Sequence, residues 1–342
     1  MSAEVERLRI RRHGFRVAAA VAVGFVWAGL AGQVIPFLGP LFAIQLLMAP
    51  RPPGLGQGIG MVTVILAGSV VMLVLTGVVG DRPVVLSAFL ALVYFACFLA
   101  QATGRGGGAP FLVLVVAIIV PMLGVLKMDL GQPIVAILLD GVGTGLLLTW
   151  AAHAVFPDPG GLPPAPPPPA PPVPGDGSTL RAITNAGILL AMVVYCMTND
   201  ALASAAVVPI TVASLLGQLA LAKGPVAVVG LMVVNLLGGI VASLAFTVYE
   251  LRPSAPWLLA VVLVVGLLFG GKAAADRATA PIYAGSLIIF CILFGLGVSP
   301  LPGTAAESFS TRVSFVLLGI LYTVTLAALL WRPTQADVTV AT

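Results

Sequence analysis

Twelve apolar stretches follow one another along this chain, separated only by short loops and one proline-packed segment. A helix needs about 20 apolar residues to cross a ~30 Å hydrocarbon core. The stretches fall at roughly 17–33, 34–50, 58–79, 84–103, 110–126, 133–155, 182–198, 201–221, 224–248, 255–271, 280–297 and 312–331. Backbone N–H and C=O groups at that depth need partners within the chain, so helices are the expected spanning element. Hydrophobic residues make up 60% of the sequence and charged residues 8%. A soluble domain carries about a quarter charged residues. The expected fold is an all-α polytopic membrane protein with about 12 transmembrane helices.

The basic residues set the expected orientation. With the N-terminus inside, Arg7, Arg9, Arg11, Arg12 and Arg16 lie on the cytoplasmic side with Arg51, Arg105, Arg181, Lys223, Lys272, Arg277 and Arg332. The other side holds Arg82, Lys127, Arg252 and Arg312. Twelve against four is a positive-inside bias, and it closes only for an even number of spans. The reading is a multi-pass protein of the bacterial inner (cytoplasmic) membrane with both termini cytoplasmic. The arginines of the N-terminal arm are expected to set this orientation and to touch anionic headgroups, not nucleic acid. The first apolar run is of full span length, so no cleavable signal peptide is expected. The four tryptophans, Trp27, Trp150, Trp257 and Trp331, fall mostly near span ends and read as interface anchors.

Residues 157–177 contain eleven prolines in 21 positions, which excludes helix and sheet. The segment reads as a cytoplasmic polyproline-II spacer with loose glycine ends. It divides the chain into an N-terminal six-helix half, 1–156, and a C-terminal six-helix half, 178–342. The halves read as copies. Pro40-Leu41-Phe42-Ala43 aligns with Pro209-Ile210-Thr211-Val212 at an offset of 169, and Asp81-Arg82-Pro83 aligns with Leu251-Arg252-Pro253 at 170. With six spans each, the copies form a 6+6 parallel internal repeat, an arrangement common in transporters.

Few polar groups fall within the spans. Asp140 lies some eight residues into the sixth span, about 12 Å of helix rise. An ionisable residue at such depth is a functional candidate, here as a proton carrier or a substrate contact. Arg312 opens the last span, the same element of the second half, and is its expected partner; an arginine facing a cavity holds a carboxylate bidentately. Gln45 and Asn235 are mid-span amides suited to helix–helix hydrogen bonds. Pro40, Pro121 and Pro209 predict kinks, which often line cavities. Together Asp140, Arg312, Gln45, Asn235 and Pro40 form the candidate substrate or proton pathway. Lys127 with Asp129, and Asn199 with Asp200, read as outer-turn residues. The glycines at 141, 143 and 145 are expected to permit close helix packing.

Enzyme chemistry is not expected: no catalytic triad, nucleotide loop or paired carboxylates appear. No cofactor is predicted. Cys97, Cys196 and Cys291 are an odd, widely spaced set within spans and read as apolar packing. His13 and His153 stand far apart in the sequence and are not expected to share a metal.

At Pro36-Phe37-Leu38-Gly39-Pro40-Leu41-Phe42-Ala43-Ile44-Gln45-Leu46-Leu47, followed by Arg51-Pro52-Pro53, the chain resembles the fusaric-acid-resistance and aromatic-acid-exporter (FUSC-like) membrane proteins. The exit of the sixth span, Trp150-Ala151-Ala152-His153-Ala154-Val155-Phe156-Pro157, and the stretch from Arg312 to Gly319 are similar to the same group. The better-known members carry a sizeable cytoplasmic domain where this chain has its proline linker. The resemblance implies efflux of small, often aromatic, carboxylic acids beside a periplasmic membrane-fusion adaptor. A homo-oligomer is a further partner to consider. Two other readings compete. A major-facilitator transporter also has six plus six spans, but the loop at 49–57 lacks that group's basic, glycine-and-aspartate motif. A non-transporting membrane scaffold would need no intramembrane charge.

Overall fold

A computed structural model describes residues 3–49, 51–104, 108–126, 131–159, 176–198, 207–221, 225–276, 279–299 and 309–330. Among these residues α-helix is the only regular secondary structure. In order the helices are α1 (Ala3–Leu30), α2 (Leu38–Leu47), α3 (Leu55–Val79), α4 (Pro83–Ala102), α5 (Ala109–Leu126), α6 (Gly131–Val155), α7 (Asp176–Thr198), α8 (Val207–Leu221), α9 (Pro225–Glu250), α10 (Ala255–Ala275), α11 (Ala280–Val298) and α12 (Phe309–Leu330). Six described helices, in α1, α3, α4, α6, α7 and α10, are long and apolar enough to cross a membrane. The predicted linker is shorter at one end, since Asp176 and Gly177 already belong to α7; positions 160–175 lie outside the described residues.

The second apolar stretch differs from expectation. In place of one helix over 34–50, α2 has 10 residues, about 15 Å of rise and half a hydrocarbon core. Residues 34–37, 48 and 49 are not helical. Leu38 packs on Gly141 and Phe42 on Gly145, so α2 runs in the same direction as α6. The chain continues past α2 to Pro53, whose carbonyl accepts the Trp150 indole N–H at 2.8 Å. Segment 38–53 therefore follows α6 from Gly141 to Trp150 with only its first part helical. Pro40 explains part of this. It is the third residue of α2, where a missing N–H leaves no intrahelical bond unmade. It helps start a helix and does not kink one. Pro209 is likewise the third residue of α8. Pro121 alone of the three lies inside a helix, α5.

The described residues divide into two compact units, each drawn from both sides of the proline segment. One holds α1, α2, α10 and α11 with most of α6 and α9. Its longest contact runs between α1 and α10, which are antiparallel: Gly14 faces Gly271, Ala18 faces Gly266, and Gly29 faces Leu258. Glycine makes this seam possible, because a Cβ on Gly266 would stand 2.8 Å from the Ala18 Cα. Behind the seam α11 is buried on every side from Leu287 to Phe294. Phe294 collects four rings around itself, from Phe25, Phe246, Tyr249 and Phe290, at centroid distances of 5.3–6.4 Å. Such pairs add about 0.5–1.5 kcal/mol each beyond area burial.

The other unit holds α4, α5, α7 and α8 with most of α3 and α12. Here α7 packs along α4, and α5 lies against α4, α7 and α8. The run Leu114–Met122 of α5 is buried on all faces, as is 208–216 of α8. The buried Tyr94 on α4 satisfies its hydroxyl on the Ala117 carbonyl of α5 at 3.1 Å. Tyr322 of α12 reaches the Ile188 carbonyl of α7 at 3.0 Å. Cys97, Cys196 and Cys291 are all buried, on α4, α7 and α11.

Candidate functional site

Two polar groupings stand out, both in the first unit. The first surrounds the break between α1 and α2. The chain leaves α1 through Gly32, whose φ of +65° is the left-handed conformation that favours glycine. This turn brings Gln33 to Asp140: the Gln33 amide donates to the Asp140 carboxylate. Nearby, the Ser299 hydroxyl at the end of α11 donates to the Val34 carbonyl at 2.7 Å. Asp140 immediately precedes Gly141, on which the amino end of α2 rests. A carboxylate, an amide and a helix amino end therefore meet at one place.

Asp140 differs from expectation in its setting. It does lie nine residues into α6, but its carboxylate is exposed, level with the turn where α1 ends. Depth along α6 is not burial here, because Asp140, nine residues into α6, is level only with Gln33 in the turn after α1. Gln33 was not among the predicted site residues, since the sequence reading placed it inside the first span. The side chains of Arg312 and Asn235 lie outside the described residues, as do Lys127, Asp129, Asn199 and Asp200. Gln45 is half-buried on α2, and Pro40 is buried at its start. The glycine prediction holds at two of three positions. A Cβ on Gly141 or Gly145 would meet Leu38 or Phe42 at 2.8 or 2.6 Å, whereas one on Gly143 meets open space.

The second grouping sits at the far end of α6, and sequence reasoning missed it. Arg16 is 2% exposed. Its guanidinium pairs with Asp158 at 2.9 Å and donates from Nε to the Phe156 carbonyl at 2.5 Å. Arg12, one turn earlier, donates to the Pro157 carbonyl at 2.6 Å. Phe15 stacks on Phe156 with ring centroids 6.0 Å apart. These contacts close the end of α6. Its last carbonyls find no further helical N–H, since prolines follow at 157 and 159, and cations favour a helix carboxyl end.

The N-terminal arginines are therefore not one undifferentiated patch. Arg12 and Arg16 hold the exit of α6, and Arg9 approaches Glu6 at 3.7 Å. The two histidines, 140 positions apart, come into electrostatic reach of each other and of Arg16 and Asp158 in the same cluster. Burial and then the Arg16 charge push His13, which precedes the first apolar stretch, down to about 4. It stays neutral at physiological pH and leaves Asp158 to Arg16. His153 Nδ1 sits 2.9 Å from the Thr149 carbonyl. Among the described residues no group of three or more His, Cys, Asp and Glu side chains could hold a metal ion.

The helices and their exposed apolar faces define a helical membrane protein. No known protein family, curated protein or solved structure matches the chain.

Proposed function

We propose that this chain is a secondary exporter of small organic acids, aromatic ones in particular. It works in the bacterial inner membrane, is proton-linked, and acts beside a periplasmic membrane-fusion adaptor, as the FUSC-like resemblance implies. The observation that carries the reading is the half-helical segment 38–53 with Asp140 and Gln33 at its start. Non-helical backbone at membrane depth is tolerated only when buried in protein or lining a hydrated cavity. Interrupted helices of this kind form the ion and substrate sites of many transporters.

The pattern of helix packing supports the internal repeat. An offset of six helices takes α1, α2, α6, α9, α10 and α11 to α7, α8, α12, α3, α4 and α5, the helix content of the other unit. Five packing pairs correspond: α1 on α10 with α7 on α4, α1 on α2 with α7 on α8, α10 on α11 with α4 on α5, α11 on α2 with α5 on α8, and α1 on α11 with α7 on α5. Gly141 against Leu38 has a counterpart in Gly319 against Val208. On this reading each unit takes helices one, two and six from one copy and three, four and five from the other. Both termini and the proline spacer between α6 and α7 are cytoplasmic.

Asp140→Asn keeps shape and hydrogen bonding but removes the titratable charge. The variant should reach the membrane at wild-type abundance and export an aromatic acid at about a hundredth of the wild-type rate or less, the lower end of the ~10²–10⁴-fold range for proton-transfer groups. Gln33→Leu should reduce export less, since the carboxylate remains. Unchanged export by Asp140→Asn would remove that residue from the mechanism. A non-transporting scaffold is the second reading. It is favoured by Arg16 being the only charged residue among the buried described side chains. The spacer should serve reach alone, so replacing 163–172 by glycine and serine should leave export intact. Loss of export at normal abundance would show that the prolines bind a partner.

A further inference from the structure

We propose that the groove between α1 and α10 binds an anionic phospholipid, with Arg7 and Arg11 taking the headgroup phosphate. The groove encloses about 300 Å³ and is lined by Arg7, Ile10, Arg11, Phe15 and Leu267 over a floor of Gly14 and Gly271. Arg7 and Arg11 are one helical turn apart on the same face of α1, and both are exposed. The other three arginines of the arm are engaged elsewhere, with Glu6, the Pro157 carbonyl, and Asp158 with the Phe156 carbonyl. The Arg11 guanidinium stands 5.8 Å above the Phe15 ring, which fixes its charge at the mouth of the groove. Everything deeper is apolar. The seven lining residues lie at the amino end of α1 and the carboxyl end of α10, where the first and tenth apolar stretches meet water.

Two guanidiniums over an apolar trough complement a phosphodiester carrying acyl chains. A small soluble anion would find the charges but nothing to match the trough. The glycine floor keeps the trough open. A Cβ added at Gly271 has no heavy atom within 4 Å, so Gly271→Leu is the substitution that adds bulk to the groove lining at a position with room for its first carbon. The proposal does not depend on the export reading.

The test is native mass spectrometry of the full chain in detergent, offered phosphatidylglycerol or phosphatidylcholine. Wild type should retain phosphatidylglycerol about thirtyfold over phosphatidylcholine, given roughly 1 kcal/mol for each of the two arginines near an anionic surface. The Arg7→Gln/Arg11→Gln double variant should lose that preference, and Gly271→Leu should lose it with both charges intact. Arg9→Gln should keep it. Size-exclusion profiles identify any variant that misfolds, and Gly271→Leu then decides alone. Equal retention of the two lipids would overturn the proposal. So would an equal loss in Arg9→Gln, or retention unchanged in Gly271→Leu. Displacement of phosphatidylglycerol by inorganic phosphate or benzoate would make the groove a soluble-anion site, and that too would overturn it.

Discussion

Arg16→Ala should be among the most damaging single changes in this protein. It leaves Asp158 without its ion partner and the Phe156 carbonyl without its donor. Removing one member of a buried pair costs about 3–5 kcal/mol, because a charge stays behind without compensation. The expected result is a sharp fall in folded, membrane-inserted protein, read by detergent size exclusion. Arg16→Lys should rescue only partly, since an ammonium lacks the planar fork that serves two acceptors in different directions. Asp158→Asn should be milder than Arg16→Ala, because both backbone carbonyls keep their donors. Equal abundance of Arg16→Ala and wild type would mean that the clasp contributes nothing to folding.

Gly145→Val and Gly143→Val should differ strongly although they sit two residues apart on α6. A Cβ at Gly145 would stand 2.6 Å from the Phe42 Cβ, 3.1 Å from the Gly39 carbonyl oxygen and 3.2 Å from the Ala43 nitrogen. Two of those atoms are backbone, so α2 as a whole would have to move. Overpacking of this kind costs about 1–3 kcal/mol or more. At Gly143 an added Cβ has no heavy atom within 4 Å. The expected outcome is a lowered thermal midpoint and lost export for Gly145→Val, with near-normal behaviour for Gly143→Val. Similar midpoints for the two would contradict the close packing of α2 on α6.

The helical class was legible because a sequence so apolar and so poor in charge has few other ways to satisfy its backbone. Pro40 and Pro209 were read as kinks, but both fall at the third residue of a helix, where a proline starts a helix and does not bend one. The length of α2 was not legible. Apolar composition continues through residues 34–50, and hydropathy does not distinguish a helix from an extended apolar segment bounded by Pro36 and Pro52-Pro53. Asp140 was legible as unusual, but its exposure depends on where α1 ends, which is a property of packing. The Arg16 clasp escaped for a related reason. Five arginines in ten residues read as a charged arm, and only the return of α6 to α1 separates the buried member from the exposed ones. His13 and His153 came together through the same return, over a sequence distance that no local pattern bridges.

Proton-linked export is tested most directly by flux from vesicles reconstituted with the purified chain. Vesicles loaded with a radiolabelled aromatic carboxylate and given an imposed proton gradient should lose label faster than protein-free vesicles, and collapse of the gradient should abolish the difference. Asp140→Asn protein, inserted to the same level, should behave like the protein-free control. Flux equal to the control from folded wild-type protein, with and without the gradient, would contradict the transporter reading and leave the membrane scaffold in its place.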